Sequence, residues 1–371
     1  MNIAERGYIL APKIASIIFA VEPVLSNLES LRAIELMENL SGLGAWVSET
    51  AAKMTPEQRF MNKVVVDALD LVYACAVSAE PGDKDFESYI ARIAAADPYA
   101  VRDRVIAEII DIGKYSVSRP DVATRPTAQE LLSSPQIMLD WLLLHKGDFD
   151  LEADVYNAAH ALLNEPPRMI DAIVTHLQSM WDLYLKEEWT RVKAMIEESV
   201  SAFSALDYTG LSAYDAIKAV TGRDPGPSWR AMLDKIDHLT FVPSAQIGPY
   251  ISLVQARGEM FLFFGARLPK GTQAPASSAL TRSELLVRIN ALADETRLRI
   301  LEMLTEEDEL FAQTIIERLG LSQSSVSRHL SQLSATGYIS ERRQDVAKAY
   351  SLNPERVTDT LNALTQFLSR K

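Results

Sequence analysis

The stretch "ELFAQTIIERLGLSQSSVSRHLSQLSATGYI", residues 309–339, constrains the fold of this chain more than any other. Leu310, Ile315, Ile316 and Leu319 share one face at helical spacing, and Gly320 offers the left-handed residue that ends such a helix. Ser322 then supplies a side-chain oxygen to cap a second helix, on which Val326, Leu330 and Leu333 draw another apolar stripe. Only "GLS" separates the two, so they meet at a tight turn. That is the pattern of a helix-turn-helix, the arrangement in which a second helix enters the DNA major groove.

The residues left outside the stripe are poor helix formers. Gln323, Ser324, Ser327, Arg328 and Ser331 are small or forked hydrogen-bonding side chains, and Leu319 to Ile339 includes seven Ser and Thr. Small hydroxyls at a helix start, Ser322 among them, let the backbone approach a duplex closely and can bond phosphate, which the helix dipole also favours. Gln pairs with adenine edges and Arg with guanine edges, each discriminating by ~1–3 kcal/mol. For His329, three residues from Val326, a half-buried packing role and a phosphate contact are both open.

After Gly337, "YISERRQDVAKAYSL" reads as two strands, Tyr338 to Arg343 and Lys348 to Leu352, with a turn at Gln344 to Ala347. Such a hairpin forms a wing that brings Arg342, Arg343 and Lys348 to the neighbouring phosphate backbone or minor groove. The segment "NPERVTDTLNALTQFLSRK" places Val357, Leu361, Leu364 and Leu368 on one helical face, which requires a partner surface.

A net charge of -13 argues against nucleic acid if spread evenly, but residues 281–371 hold 12 Lys and Arg against 13 Asp and Glu. The remaining 280 residues hold 25 against 37 and carry nearly all the acidity. Between the two lies "LPKGTQAPASSALTR", residues 268–282, where Pro, Gly, Ser and Thr replace apolar periodicity; it reads as a linker. Residues 1–267 are thus expected to form one domain and residues 283–371 another.

Much of the larger part reads as helix. Ile173, Leu177, Trp181, Leu185, Trp189, Val192, Ile196, Val200 and Phe203 advance by threes and fours along one long helix behind Pro166 and Pro167. Shorter helices are expected at Leu28 to Leu40, Pro56 to Val77, Tyr99 to Ile112 and Ser212 to Val220. "LTFVPSAQIGPYISLVQARGEMFLFFGARL" is rich in β-branched and aromatic residues, with "ARGE" as a turn. The expected fold is mainly α: a large helical N-terminal domain closed by a β-hairpin, linked to a C-terminal winged helix-turn-helix domain.

Hydrophobic residues make up 48% and charged residues 23%, a soluble, globular balance. No basic cluster precedes the apolar run Ile14 to Val21, no cleavage site follows it, and no run approaches the ~20 residues of a membrane span. The single cysteine, Cys75, sits among apolar neighbours and fits a buried role in a reducing cytoplasm. His145, His160, His176 and His238 form no short-spaced ligand pair, and Asp148, Asp150, Glu152 and Asp154 lack the glycine and terminal Glu of a calcium loop and read as a solvated acidic turn. No nucleophile elbow, phosphate-cradling glycine loop or Cys–His pair is found, so no catalytic residue, metal or cofactor is expected. Trp46, Trp141, Trp181, Trp189 and Trp229 could line an effector pocket, though at helical spacing aromatic residues more often form core.

"INALADETRLRILEMLTEE", "LGLSQSSVSRHLSQLSATGYI" and "RRQDVAKAYSL" together resemble the winged-helix regulators of the arsenic-repressor (ArsR/SmtB) family, over about residues 283–370. The resemblance implies a homodimer built on the first and last helices, two recognition helices on a palindromic site, and transcriptional control. By position it implies DNA-facing roles for Gln323, Ser324, Ser327 and Arg328, with His329 adjoining. The metal-sensing members carry paired cysteines before the turn, where this chain reads "EDELFAQTI", so metal sensing is not expected. "VEPVLSNLESL", "GAWVSETAAKM" and "FVPSAQIGPYISLV" resemble the long N-terminal region of a subgroup of these regulators, which implies no activity.

The expectation is therefore a cytoplasmic, non-enzymatic repressor that binds double-stranded DNA as a homodimer, with an N-terminal domain that either answers a small-molecule effector of unknown identity or enlarges the dimer interface. The alternative is an N-terminal enzyme or protein-interaction scaffold with the winged helix as an accessory module.

Overall fold

The computed structural model describes residues 15–37, 43–69, 85–111, 125–146, 152–222, 225, 227–234, 236–248, 250–256, 259–269, 282–307, 309–344 and 347–369. The chain opens with β1 (Ser16–Phe19), α1 (Pro23–Leu36), α2 (Ala45–Lys53) and α3 (Pro56–Asn62), which runs into a π-helical segment (Lys63–Ala68). Then come α4 (Phe86–Ala95), α5 (Pro98–Asp111), α6 (Ala128–Ser133), α7 (Pro135–Lys146), α8 (Ala153–Asn164) and α9 (Pro166–Met180). A π-helical turn (Trp181–Leu185) joins α9 to α10 (Lys186–Ser204), followed by α11 (Ala213–Thr221), α12 (Pro227–Leu233), β2 (His238–Ser244), β3 (Ile251–Ala256) and β4 (Glu259–Gly265). The C-terminal part comprises α13 (Arg282–Leu292), α14 (Glu295–Glu306), β5 (Leu310–Phe311), α15 (Ala312–Leu319), α16 (Gln323–Thr336), β6 (Ile339–Gln344), β7 (Ala347–Leu352) and α17 (Pro354–Leu368). Cys75, Asp148 and Asp150 lie outside the described residues. Among the described residues no helix is long and apolar enough to cross a membrane.

Local sequence explains many of these boundaries. Helices α1, α3, α5, α7, α9, α12 and α17 begin on proline, whose fixed φ suits a first turn that has no use for its N–H. Thr55 with Gln58, Asp85 with Ser88 and Thr127 with Glu130 close reciprocal capping boxes. The long stripe through α9 and α10 has a subtler cause. From Ile173 to Trp189 it advances only by fours, and each such step overshoots a 3.6-residue turn by about 40°. The π-helical turn widens the coil at that point, and Ile173, Leu177, Trp181, Leu185, Val192, Ile196 and Phe203 all stay buried.

The expected hairpin is present as β3 and β4, but it belongs to a four-stranded sheet of order β1-β2-β4-β3. Strands β1, β2 and β4 run parallel, with Phe19 opposite Phe241 and Phe241 opposite Leu262. Two further strands extend the hairpin: the run around Ile17 is a strand, and its partner lies more than 200 residues away. Phe261 and Phe263 of β4 pack into the large helical cluster on one side, while Met260, Leu262 and Phe264 join Phe19, Phe203 and Ile217 on the other. A strand covered on both faces needs apolar residues at every position, hence "MFLFF".

In the C-terminal part β5, β7 and β6 form a small antiparallel sheet, and a third cluster gathers Ala291, Ile300, Ile315, Val326, Leu330, Leu333 and Tyr338. Leu310 belongs to β5, paired with Tyr350, and not to the helical face expected for it. Phe311 keeps extended dihedrals, so the helix starts only at Ala312.

Candidate nucleic-acid interface

Helix α15 stops where Gly320 takes φ 65°, its N–H donating to Ile316 O at 2.9 Å. Two residues later the Ser322 hydroxyl accepts from Ser325 N at 3.2 Å and starts α16. Ser324 Oγ lies 3.1 Å from Ser322 Oγ, so the first turn presents paired hydroxyls. Val326, Leu330 and Leu333 are buried, while Ser322, Gln323, Ser324, Ser327, Arg328 and Ser331 are exposed. These six form one surface on a single capped helix. The 23 residues between Glu317 and Glu341 contain no Asp or Glu, where the chain average would place about three. An acid-free face in so acidic a chain can approach an anion without repulsion.

The far end of α16 is fixed as firmly. Gly337 adopts φ 79°, and Arg356 of α17 donates through Nε to Thr336 O at 2.9 Å. A methyl at Gly337 would lie 3.0 Å from that nitrogen, so the close approach favours glycine as much as the dihedral does. The buried Tyr338 hydroxyl sits 3.1 Å from Arg288 O on α13 and 3.0 Å from Thr360 Oγ1 on α17. In the hairpin behind it, Arg343 pairs with Lys348 and Arg342 with Ala349. The backbone therefore sets three cationic residues on adjoining rungs at the tip of the wing.

His329 takes a different place from the serines around it. It is 18% exposed, with Nδ1 3.6 Å from Asp294 Oδ1, longer than a hydrogen bond. Burial holds its pKa below the ordinary value, which leaves the ring neutral at pH 7.

One residue that sequence reasoning passed over organises the same corner. Arg297, 8% exposed, donates Nε to Ala291 O at 2.6 Å, Nη2 to Asn290 O at 2.7 Å and Nη1 to Gln332 Oε1 at 2.7 Å. Its guanidinium thus caps the last carbonyls of α13 and grips α16 through Gln332, while Asp294 caps α14 through Arg297 N at 2.9 Å. A signal existed: Arg297 is the third residue of α14, where the dipole disfavours a cation unless another helix end claims it. On α17, Thr360 and Ala363 face inward, whereas Leu361 and Leu368 are 54% and 71% exposed, close to the exposed character of Leu286 on α13.

The sequence profile described as "Bacterial regulatory protein, arsR family" matches residues 294–341. A probable mercury resistance operon repressor of Streptomyces lividans is 38% identical over 90 residues, which cover 24% of this chain and 71% of that one. An arsenic resistance transcriptional regulator of Pseudomonas putida is 41% identical over 64 residues, covering 17% of this chain and 50% of its own. A transcriptional repressor of Bacillus subtilis, SdpR, is 34% identical over 80 residues, 22% of this chain and 88% of that one.

Proposed function

Because the chain belongs to the arsR family of bacterial regulatory proteins, we propose that it is a sequence-specific DNA-binding repressor of transcription, acting in the cytoplasm as a homodimer on a palindromic operator. The acid-free, outward face of α16 carries this reading. Gln323, Ser327 and Arg328 address base edges; Ser322, Ser324 and Ser331 bond phosphate; Arg342, Arg343 and Lys348 neutralise the backbone beside the wing. His329, neutral and largely buried beside Asp294, takes the packing role in this reading instead of pairing with phosphate. Repression is supported by the names of two relatives. Exposed Leu286, Leu361 and Leu368 support a dimer through α13 and α17, because apolar side chains of that size gain most when a second copy covers them. We place the DNA-binding domain at residues 283–371, the linker at 268–282 and an effector-responsive domain at 1–267, a division consistent with the separate third cluster of buried side chains.

Selection from random-sequence duplexes with the full chain is expected to return a palindrome whose half-sites lie about one helical turn apart. No enriched sequence at low salt would overturn the reading. Arg328→Ala should relax preference at one base position, at about 1–3 kcal/mol, whereas Lys348→Ala should weaken all sequences alike and reduce the salt slope by about one.

A further inference from the structure

The dimer proposed through α13 and α17 makes no use of an open sheet edge in the N-terminal region. Strand β1 ends the four-stranded sheet and pairs on one side only, with β2. Ser16 N donates to Asp237 O at 2.8 Å and Ala20 N to Phe241 O at 3.1 Å, so the even-numbered residues turn their main-chain groups to β2. Ala15 N points the other way and donates to Leu211 O at 3.3 Å. By the alternation of a strand, Ile17 and Phe19 also direct their N–H and C=O groups away from β2. Among the described residues, nothing on that side bonds to them.

Beside this edge runs an open groove of about 530 Å³, walled opposite β1 by Leu206, Asp207, Tyr208, Thr209 and Gly210. An edge with unpaired main-chain groups and open space along it is where an added strand docks. Edge strands are ordinarily guarded by charge, proline or a bulge. The run "ASIIFAV", residues 15–21, holds no charge and no proline, and its register with β2 is regular. Ile18 in its middle is 47% exposed, and Leu206 across the groove 43%. Its one protection is its length of four residues. A pairing that short is weak alone, which suits an edge that meets its partner only when the two are already tethered.

The spacing of the open groups identifies the occupant. Ile17 and Phe19 stand symmetrically about Ile18, so an antiparallel copy of the same strand, related by a twofold axis at Ile18, sets each Ile17 opposite the partner's Phe19. Each such pair exchanges both main-chain bonds, and the two exposed Ile18 side chains meet across the axis. Charge agrees with this. Among the described residues lining the groove only Asp207 is charged, so an acidic segment would be repelled there and the neutral β1 is not.

We propose that β1 is a second dimer contact, at which the β1 strands of two copies pair antiparallel about Ile18 and join their sheets into one. It rests on the homodimer reading, because the tie through α13 and α17 raises the local concentration of one edge for the other.

The test is disulfide trapping in the full chain under mild oxidation, with the bonds located by peptide mass. Across the axis the two Ile18 Cα atoms would lie about 4.5 Å apart, within reach of a disulfide, and the two Ser16 Cα atoms roughly 14 Å apart, beyond it. Both side chains are exposed on one face of β1, so access is equal. Ile18→Cys should therefore link chains through the introduced thiol at least ~10-fold more than Ser16→Cys, and only into dimers. Ile18→Lys, which opposes two ammonium groups at an exposed position, should raise the dimer dissociation constant at least ~10-fold in sedimentation and leave the urea midpoint unchanged. Equal yields from the two cysteine variants, a bond confined to species larger than dimers, or an unchanged dissociation constant in Ile18→Lys would overturn the proposal. So would an introduced thiol at position 18 that neither oxidises nor reacts with iodoacetamide, since another segment of the chain would then cover the edge. A dimer that forms no such bond contradicts this contact alone, whereas a monomer contradicts the homodimer reading as well.

Discussion

Helix α16 turns Gln323, Ser324, Ser327 and Arg328 to solvent and its apolar residues inward, whereas the N-terminal region draws Asn62, His176, Glu188 and Gln246 into its interior. The two arrangements respond differently to change. Polar side chains on an exposed face remain hydrated in folded and unfolded chain alike, so altering them shifts binding with little effect on stability. Polar side chains indoors must find partners to offset lost hydration, so altering them shifts stability first. Asn62 illustrates this: its Nδ2 donates to Leu31 O at 3.0 Å and to Glu35 Oε1, and its Oδ1 sits 3.0 Å from His176 Nε2. An amide oxygen only accepts, so His176 carries its proton on Nε2.

The sharpest break in this contrast is Arg297, a C-terminal residue that behaves like an interior one. Arg297→Ala strands two helix-end carbonyls and Gln332, and should destabilise the C-terminal part by about 2–4 kcal/mol, seen as an earlier urea transition together with lost DNA binding. Retained stability with lost DNA binding would assign Arg297 to the surface instead.

Next in size is a pH effect confined to the N-terminal region. Burial pushes Glu35 up to about 7, against the Asn62 hydrogen bond and Lys63, while the charge of Asp67 adds to the rise. Burial pulls His176 down to about 4. Folded Glu35 holds its proton up to about pH 7 whereas the unfolded group releases it near 4.5, so its contribution is present below that value and is lost as pH rises to 7. His176 acts oppositely: its contribution is present above pH 6.5 and is lost as pH falls toward 4. The two therefore offset one another in the mildly acidic range. Glu35→Gln keeps the Asn62 bond and removes only the first effect. It should stabilise the protein at pH 8 by at most about 3 kcal/mol and hardly at pH 4.5, as urea titrations at the two values would reveal. Smallest of the three, Ser322→Ala removes a helix cap and should lower stability by about 1 kcal/mol in the same assay.

The contrast also explains what could be read in advance. The turn at Gly320, the cap at Ser322, the outward set on α16 and the wing all rest on neighbours within a few residues, so periodicity and capping expose them. The hairpin of β3 and β4 was legible for the same reason. Strand β1 was not, because its identity depends on pairing with β2 far along the chain. The π-helical turn announced itself only as a run of steps of four. Gln246 and Glu188 gave no local signal, since what joins them is a hydrogen bond between separated elements. Arg297 lay between these cases, with a cation on the wrong end of a helix as its single clue.

The central claim, that the acid-free face of α16 meets DNA, is tested most directly by placing one negative charge upon it. Ser327→Glu alters an exposed side chain and should leave the urea midpoint within about 0.5 kcal/mol of the parent. Fluorescence anisotropy with the selected palindrome should then show affinity reduced at least ~100-fold, through repulsion of phosphate and loss of a close approach. Parental affinity in a folded Ser327→Glu protein would contradict the account.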